Sequence, residues 1–129
     1  MKPCIFFFIA FQFSIVTGFA QYKTNEITET LIGTWVWEHT KICQRSNPAD
    51  RTPQSEGYTL KLIFDSKTMR LFRNDSLRDE SFFEILLQNG GDFFNSHIYR
   101  GMIKIEDDQL SISTCGSDGV HRVYTRMGE

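Results

Sequence analysis

From residue 31 to the C-terminus the chain is a succession of short segments alternating between apolar and polar residues, each closed by turn-forming residues. The clearest is Tyr58 to Asp65, where Tyr58, Leu60, Leu62 and Phe64 alternate with Thr59, Lys61, Ile63 and Asp65. A period of two residues is the mark of a half-buried strand. Leu31 to Thr40 reads the same way, with Gly33, Trp35, Trp37 and His39 on one face and Thr34, Val36 and Glu38 on the other. Turns at Asp65-Ser66-Lys67, Asn74-Asp75-Ser76, Asn89-Gly90-Gly91-Asp92, Asp107-Asp108 and Gly116-Ser117-Asp118-Gly119 separate six further strands. These are residues 68–73, 79–87, 93–99, 101–106, 109–114 and 120–127. Asn25 to Thr30 is read as a short helical turn behind an N-cap, and Lys41 to Glu56 as the one long loop. Eight strands with hairpin-length links make an all-β antiparallel meander, either sandwich or barrel. Closure into an up-and-down barrel sets the last strand beside the first and removes both edges.

Residues 1–20 are read as a cleaved signal peptide and set apart from the fold. Lys2 precedes an apolar run from Ile5 to Val16, and Gly18-Phe19-Ala20 puts small residues at the cleavage positions before Gln21. That run is short for a membrane span, so the processed chain is expected to be soluble and exported, periplasmic or secreted. Processing of the 129-residue chain leaves 109 residues (21–129), enough for one domain with a thin core. Without Lys2 the balance is 13 basic against 16 acidic residues, a net charge of −3. The basic residues are scattered among acids, which argues against nucleic acid or an anionic membrane as partner.

Cys43 and Cys115 survive processing. An even count in an exported chain favours a disulfide, two buried free thiols being the alternative. A loop of this length adds roughly 4 kcal/mol of stabilisation in the chain-entropy treatment. Barrel closure supports the pairing. The end of the first strand then lies near the start of the last, and Cys43 and Cys115 flank those two points.

Leu31-Ile32-Gly33-Thr34-Trp35 and the closing Tyr124-Thr125-Arg126 resemble the lipocalin-like proteins of the calycin superfamily. Gly57-Tyr58 to Phe64, Leu110 to Arg126 and the Phe-rich leader resemble small exported domains of this type from Bacteroidota. The resemblance implies that Gly33 and Trp35 plug the closed end of the barrel and that Arg126 lies across the Trp35 ring, a structural role. A guanidinium on an indole face combines cation–π attraction with donors for nearby carbonyls. The chain is shorter than a typical lipocalin and carries no helix after its last strand, so its cavity is expected to be small or filled.

Arg122 and Tyr124 share one face of the last strand, a spacing similar to the Arg-x-Tyr pair with which fatty-acid-binding proteins hold a carboxylate. An inward arginine in an apolar barrel needs an anionic partner. The plainer alternative is a wet rim position or a pairing with an acid such as Glu38. Trp37, with His39, Tyr58 and Leu60, is placed toward the open end, as an aromatic pocket or as ordinary core. A lesser alternative gathers His39, His121, Cys43 and Cys115 at one rim as a metal ligand set, although their spacing matches no compact metal motif. His97 reads as a surface residue. Asn74-Asp75-Ser76 is formally a glycosylation sequon.

No nucleophile elbow, paired carboxylates or phosphate loop stands out, so the expectation is a non-enzymatic protein without a cofactor. It binds a small apolar or amphipathic, and in one version anionic, molecule through Arg122, Tyr124, Trp37 and Tyr58. The alternative is a filled barrel that docks another protein through residues 41–56 or its outer face.

Overall fold

The structure is a computed structural model that describes residues 26–43, 50–88, 90–114 and 119–128. The chain divides into two compact units, residues 1–30 and Leu31–Glu129. In the first, the described residues 26–30 are helical, and the Thr30 hydroxyl donates to the Glu26 carbonyl. The leader, residues 1–20, lies outside the described residues. Among the described residues no helix is long and apolar enough to cross a membrane.

The second unit is a closed antiparallel barrel in which every strand pairs with its sequence neighbours. Its strands are β1 (Gly33–Ile42), β2 (Leu60–Phe64), β3 (Thr68–Arg73), β4 (Ser76–Gln88), β5 (Gly91–Ser96), β6 (Arg100–Glu106), β7 (Gln109–Ser113) and β8 (Val120–Arg126). β8 returns to β1 in register, Trp35 opposite Arg126 and Ile42 opposite Val120, and this closes the meander. The expected all-β, up-and-down, eight-stranded barrel is the fold observed, and its architecture is consistent with a lipocalin-like fold.

Tight turns hold the register. Asn74 and Asp75 both take positive φ (49° and 66°), as do Asp107 and Asp108 (48° and 62°). Two consecutive left-handed residues match the twist of the hairpin strands they join. Because Asn74-Asp75 completes the turn, β4 begins at Ser76 and not at Asp79. A different device closes the β2–β3 turn: the Asp65 carboxylate accepts from the Lys67 and Thr68 amides and from the Thr68 hydroxyl. Those bonds pull its pKa down to about 2.

The expected long loop contains one helical turn, α1 (Pro53–Glu56). Thr52 caps it, accepting from the Ser55 amide while the Ser55 hydroxyl accepts from the Thr52 amide. This is a reciprocal capping box with proline in the first turn. The Asn47-Pro48 and Gly116–Asp118 expectations fall outside the described residues.

The core fills the half of the barrel nearest the start of β1. Trp35, Leu62, Phe64, Met69, Phe94 and Leu110 are all buried there from alternate positions of their strands. Phe64 meets Phe83 and Phe94 edge-on, at ring separations of 5.4 and 5.9 Å. Aromatic and aliphatic side chains thus pack closely in this half.

Candidate functional site

Two arginines of β8, four residues apart, face the barrel interior. Strand pleating fixes this, since Tyr124 between them is fully buried and the cross-strand neighbour of Arg122 is the buried Ile112. Arg126 lies at the filled end, its guanidinium carbon 4.2 Å from the Trp35 ring centre. It also donates to the Ile32 carbonyl and lies 3.4 Å from the Asp108 carboxylate. The Trp35 indole N–H is satisfied by the Leu31 carbonyl at 2.8 Å. Gly33 has φ +134°, strained for any other residue, and a Cβ there would sit 3.2 Å from Arg126 Nη1 and press on the guanidinium.

Arg122 lies in different surroundings. Its guanidinium carbon is 4.4 Å from the Tyr99 ring centre, and among the described residues it has neither an ion pair nor a hydrogen bond. The Tyr99 and Tyr124 hydroxyls are bonded to each other at 2.7 Å. Burial raises the pKa of both phenols, that of Tyr124 strongly, so both stay protonated at neutral pH. In such a pair one hydroxyl donates and the other keeps a proton to give.

Across the mouth, Trp37 stacks on Tyr58 with ring centres 5.7 Å apart, and Arg73 lies on Tyr58 at 4.0 Å. The Trp37 indole N–H donates to the Thr40 hydroxyl. Arg73 likewise has no ion pair among the described residues. The wall of the mouth is thus aromatic faces plus donors: two guanidinium groups and a phenol pair. An acceptor-only group on a flat or oily body is the chemical complement of such a wall.

Of the residues named from the sequence, the structure gathers Trp37, Tyr58, Arg122 and Tyr124 toward one end of the barrel and Gly33, Trp35 and Arg126 toward the other. It separates His39 from the tryptophans. Trp37 pairs with Tyr124 but His39 pairs with Val123, so Glu38 is the extra residue of a β-bulge. The bulge sends Glu38 and His39 to the outer face, correcting the expected run of Gly33, Trp35, Trp37 and His39. Glu38 accepts from Thr125 and Gln109 there and is not the partner of Arg122.

His121 stands opposite Lys41, and burial, His39 and Lys41 together lower its pKa. No group of three metal-ligating side chains forms among the described residues. Cys43 is disulfide-bonded, and its partner lies outside the described residues. The Cys43 amide donates to the Gly119 carbonyl, and the Thr114 amide donates to the Val120 carbonyl.

Tyr99, Arg73 and Thr40 are mouth residues that the sequence reading did not single out. Tyr99 was expected inside a strand, but β5 ends at Ser96, whose side chain accepts from the Ile98 and Tyr99 amides and bends the chain. The Ser-x-x-Tyr spacing after an alternating run is the available signal, since serine readily closes such turns. Outside the barrel, a groove of about 630 Å³ between β4 and β5 is lined by Phe82, Phe83, Glu84, Asn95 and Arg100, and shares no residue with the mouth. No protein-family model matches the sequence, and no curated protein or solved structure is significantly similar to it.

Proposed function

We propose that this chain is an exported, non-enzymatic, lipocalin-like protein of calycin and Bacteroidota type. It takes a small amphipathic ligand with an anionic head at the mouth of the barrel. The observation that carries the reading is Arg122, a cation facing inward over Tyr99 with no acid beside it among the described residues. A charge in that position is costly until an anion reaches it. Tyr99 and Tyr124 add a hydroxyl donor, and Trp37 and Tyr58 offer a flat apolar wall for the ligand's body. The filled lower half limits the ligand to the upper half, so its tail is short, or leaves through the mouth.

The filled lower half also favours a second reading, a protein-docking module that uses residues 41–56 or the outer face. A titration separates the two. Short-chain and aromatic carboxylates are added while the tryptophan fluorescence is followed, with neutral probes of equal size in parallel. Arg122→Gln is expected to weaken carboxylate binding by about ten- to a hundred-fold, as losing one charge-assisted pair does, and to leave neutral probes unchanged. Equal carboxylate affinity in variant and parent removes the anionic-ligand reading and leaves the docking module.

A further inference from the structure

The barrel ladder lapses along one apolar stretch of β4. Its pairing with β3 stops at Phe82 opposite Thr68, followed only by the Phe83 amide donating to the Lys67 carbonyl. Beyond it Glu84, Ile85, Leu86, Leu87 and Gln88 pair with β5 on one side, and no described strand lies on the other. Since Phe83 points its amide to the β3 side, Ile85 and Leu87 point theirs to the same open side. Leu87 is 64 % and Leu86 38 % exposed.

Other lapses in the ladder are charged. Residues Ser76 to Glu80 of β4, which lack a β5 partner, include Arg78, Asp79 and Glu80, and Glu80 pairs with Arg70. Past Met102, β6 has no β5 partner among the described residues, and that stretch, Ile103 to Glu106, carries Lys104 and Glu106, themselves an ion pair. Charges of this kind keep strand edges from pairing with other chains, and within residues 84–88 only Glu84, at one end, is charged.

We infer that this edge pairs with the same edge of a second copy, antiparallel about a two-fold axis at Leu86. In that register Ile85 faces Leu87 of the partner subunit, and both present their N–H and C=O to the shared edge, making four backbone hydrogen bonds. Glu84 faces Gln88 of the partner subunit, so no like charges meet. Five residues are free and five are used, and the chain takes a positive φ at Gly90 (77°) two residues beyond them.

The faces agree with the edge. Leu86 pairs with Phe93 and Phe93 with Met102, an apolar row on the outer face that runs across the strands to the open edge. The two-fold joins this row to its copy and covers Leu86, while Leu87 is covered on the opposite face. A self-complementary patch of this kind is what an isologous dimer requires.

Sedimentation equilibrium of the processed chain over a range of concentrations tests the inference. A monomer–dimer equilibrium is expected. Leu86→Lys and Leu86→Glu each set like charges across the axis and should raise the dissociation constant about ten-fold or more. An equimolar mixture of the two variants should dimerise again. Leu77→Lys, at the opposite end of β4, should leave association unchanged. Amide exchange supplies a readout that needs no variant, with Ile85 and Leu87 protected at dimer-forming concentrations. A parent chain that stays monomeric, a mixture that stays monomeric while both variants keep their far-ultraviolet spectra, or rapid exchange at both amides overturns the inference.

Discussion

Arg122 and Arg126 occupy the same strand and the same face, and each lies about one ring-contact distance from an aromatic plane, 4.4 and 4.2 Å. Their surroundings differ in what completes the cation. Arg126 has the Ile32 carbonyl and the Asp108 carboxylate, and the tryptophan beneath it is itself bonded to Leu31. Among the described residues, Arg122 has the ring and a neighbouring phenol pair and no ion pair or hydrogen bond. Similar stacking therefore serves two ends: a satisfied guanidinium locks one end of the barrel, and an unsatisfied one leaves the other end chemically open.

Four outcomes sharpen this contrast. The largest belongs to the closed end: Trp35→Ala removes a fully buried ring and should cost about 3–5 kcal/mol in urea unfolding. If the loss falls below about 1 kcal/mol, the plug is not what holds this end. Next comes the rim. We propose that the disulfide at Cys43 is made with Cys115. Its reduction should then add two hydrogens to the intact mass and lower stability by about 2–4 kcal/mol, and peptide mapping that joins Cys43 to any other cysteine contradicts the assignment.

A smaller effect is expected inside the mouth. Tyr124→Phe breaks the phenol pair and should cost about 1 kcal/mol at neutral pH. The two phenols keep their protons above the ordinary tyrosine range, while their unfolded counterparts ionise near pH 10. Their stabilisation is whole below that pH and is lost progressively as the pH rises from there through their raised folded-state values. Unfolding curves between pH 8 and 11 should show this fall in the parent and a shallower one in Tyr124→Phe. The smallest effect is at Asp65. With a pKa of about 2 against an ordinary 3.8, its contribution is present above 3.8 and fades as the pH drops toward 2. Asp65→Asn should flatten the acid limb slightly, because the carboxylate is exposed to solvent.

Much of the barrel was legible because its signals are local. Alternation from Leu60 to Phe64 and the Asn74-Asp75 and Asp107-Asp108 turns are written in adjacent residues. The mouth was less legible. The bulge at Glu38 inserts one residue, and this flips His39 outward without disturbing the composition around it. Tyr99 reaches the site only because Ser96 folds the chain at the end of β5. The pairing of Arg73 with Tyr58 joins residues on either side of a hairpin, a relation that no spacing rule expresses. Even the open edge at residues 84–88 is set by how far β3 extends, not by β4 itself.

The central claim, one arginine for the fold and one for a ligand, is tested by a crossed comparison of Arg122→Gln and Arg126→Gln. Urea unfolding and carboxylate titration are run on both variants and the parent. The expected result is a separation: Arg126→Gln loses about 1–3 kcal/mol of stability and keeps its affinity while folded, whereas Arg122→Gln keeps its stability and loses about ten-fold or more in affinity. Parallel losses in both variants, or an Arg122→Gln chain that unfolds earlier and binds as the parent does, would contradict it.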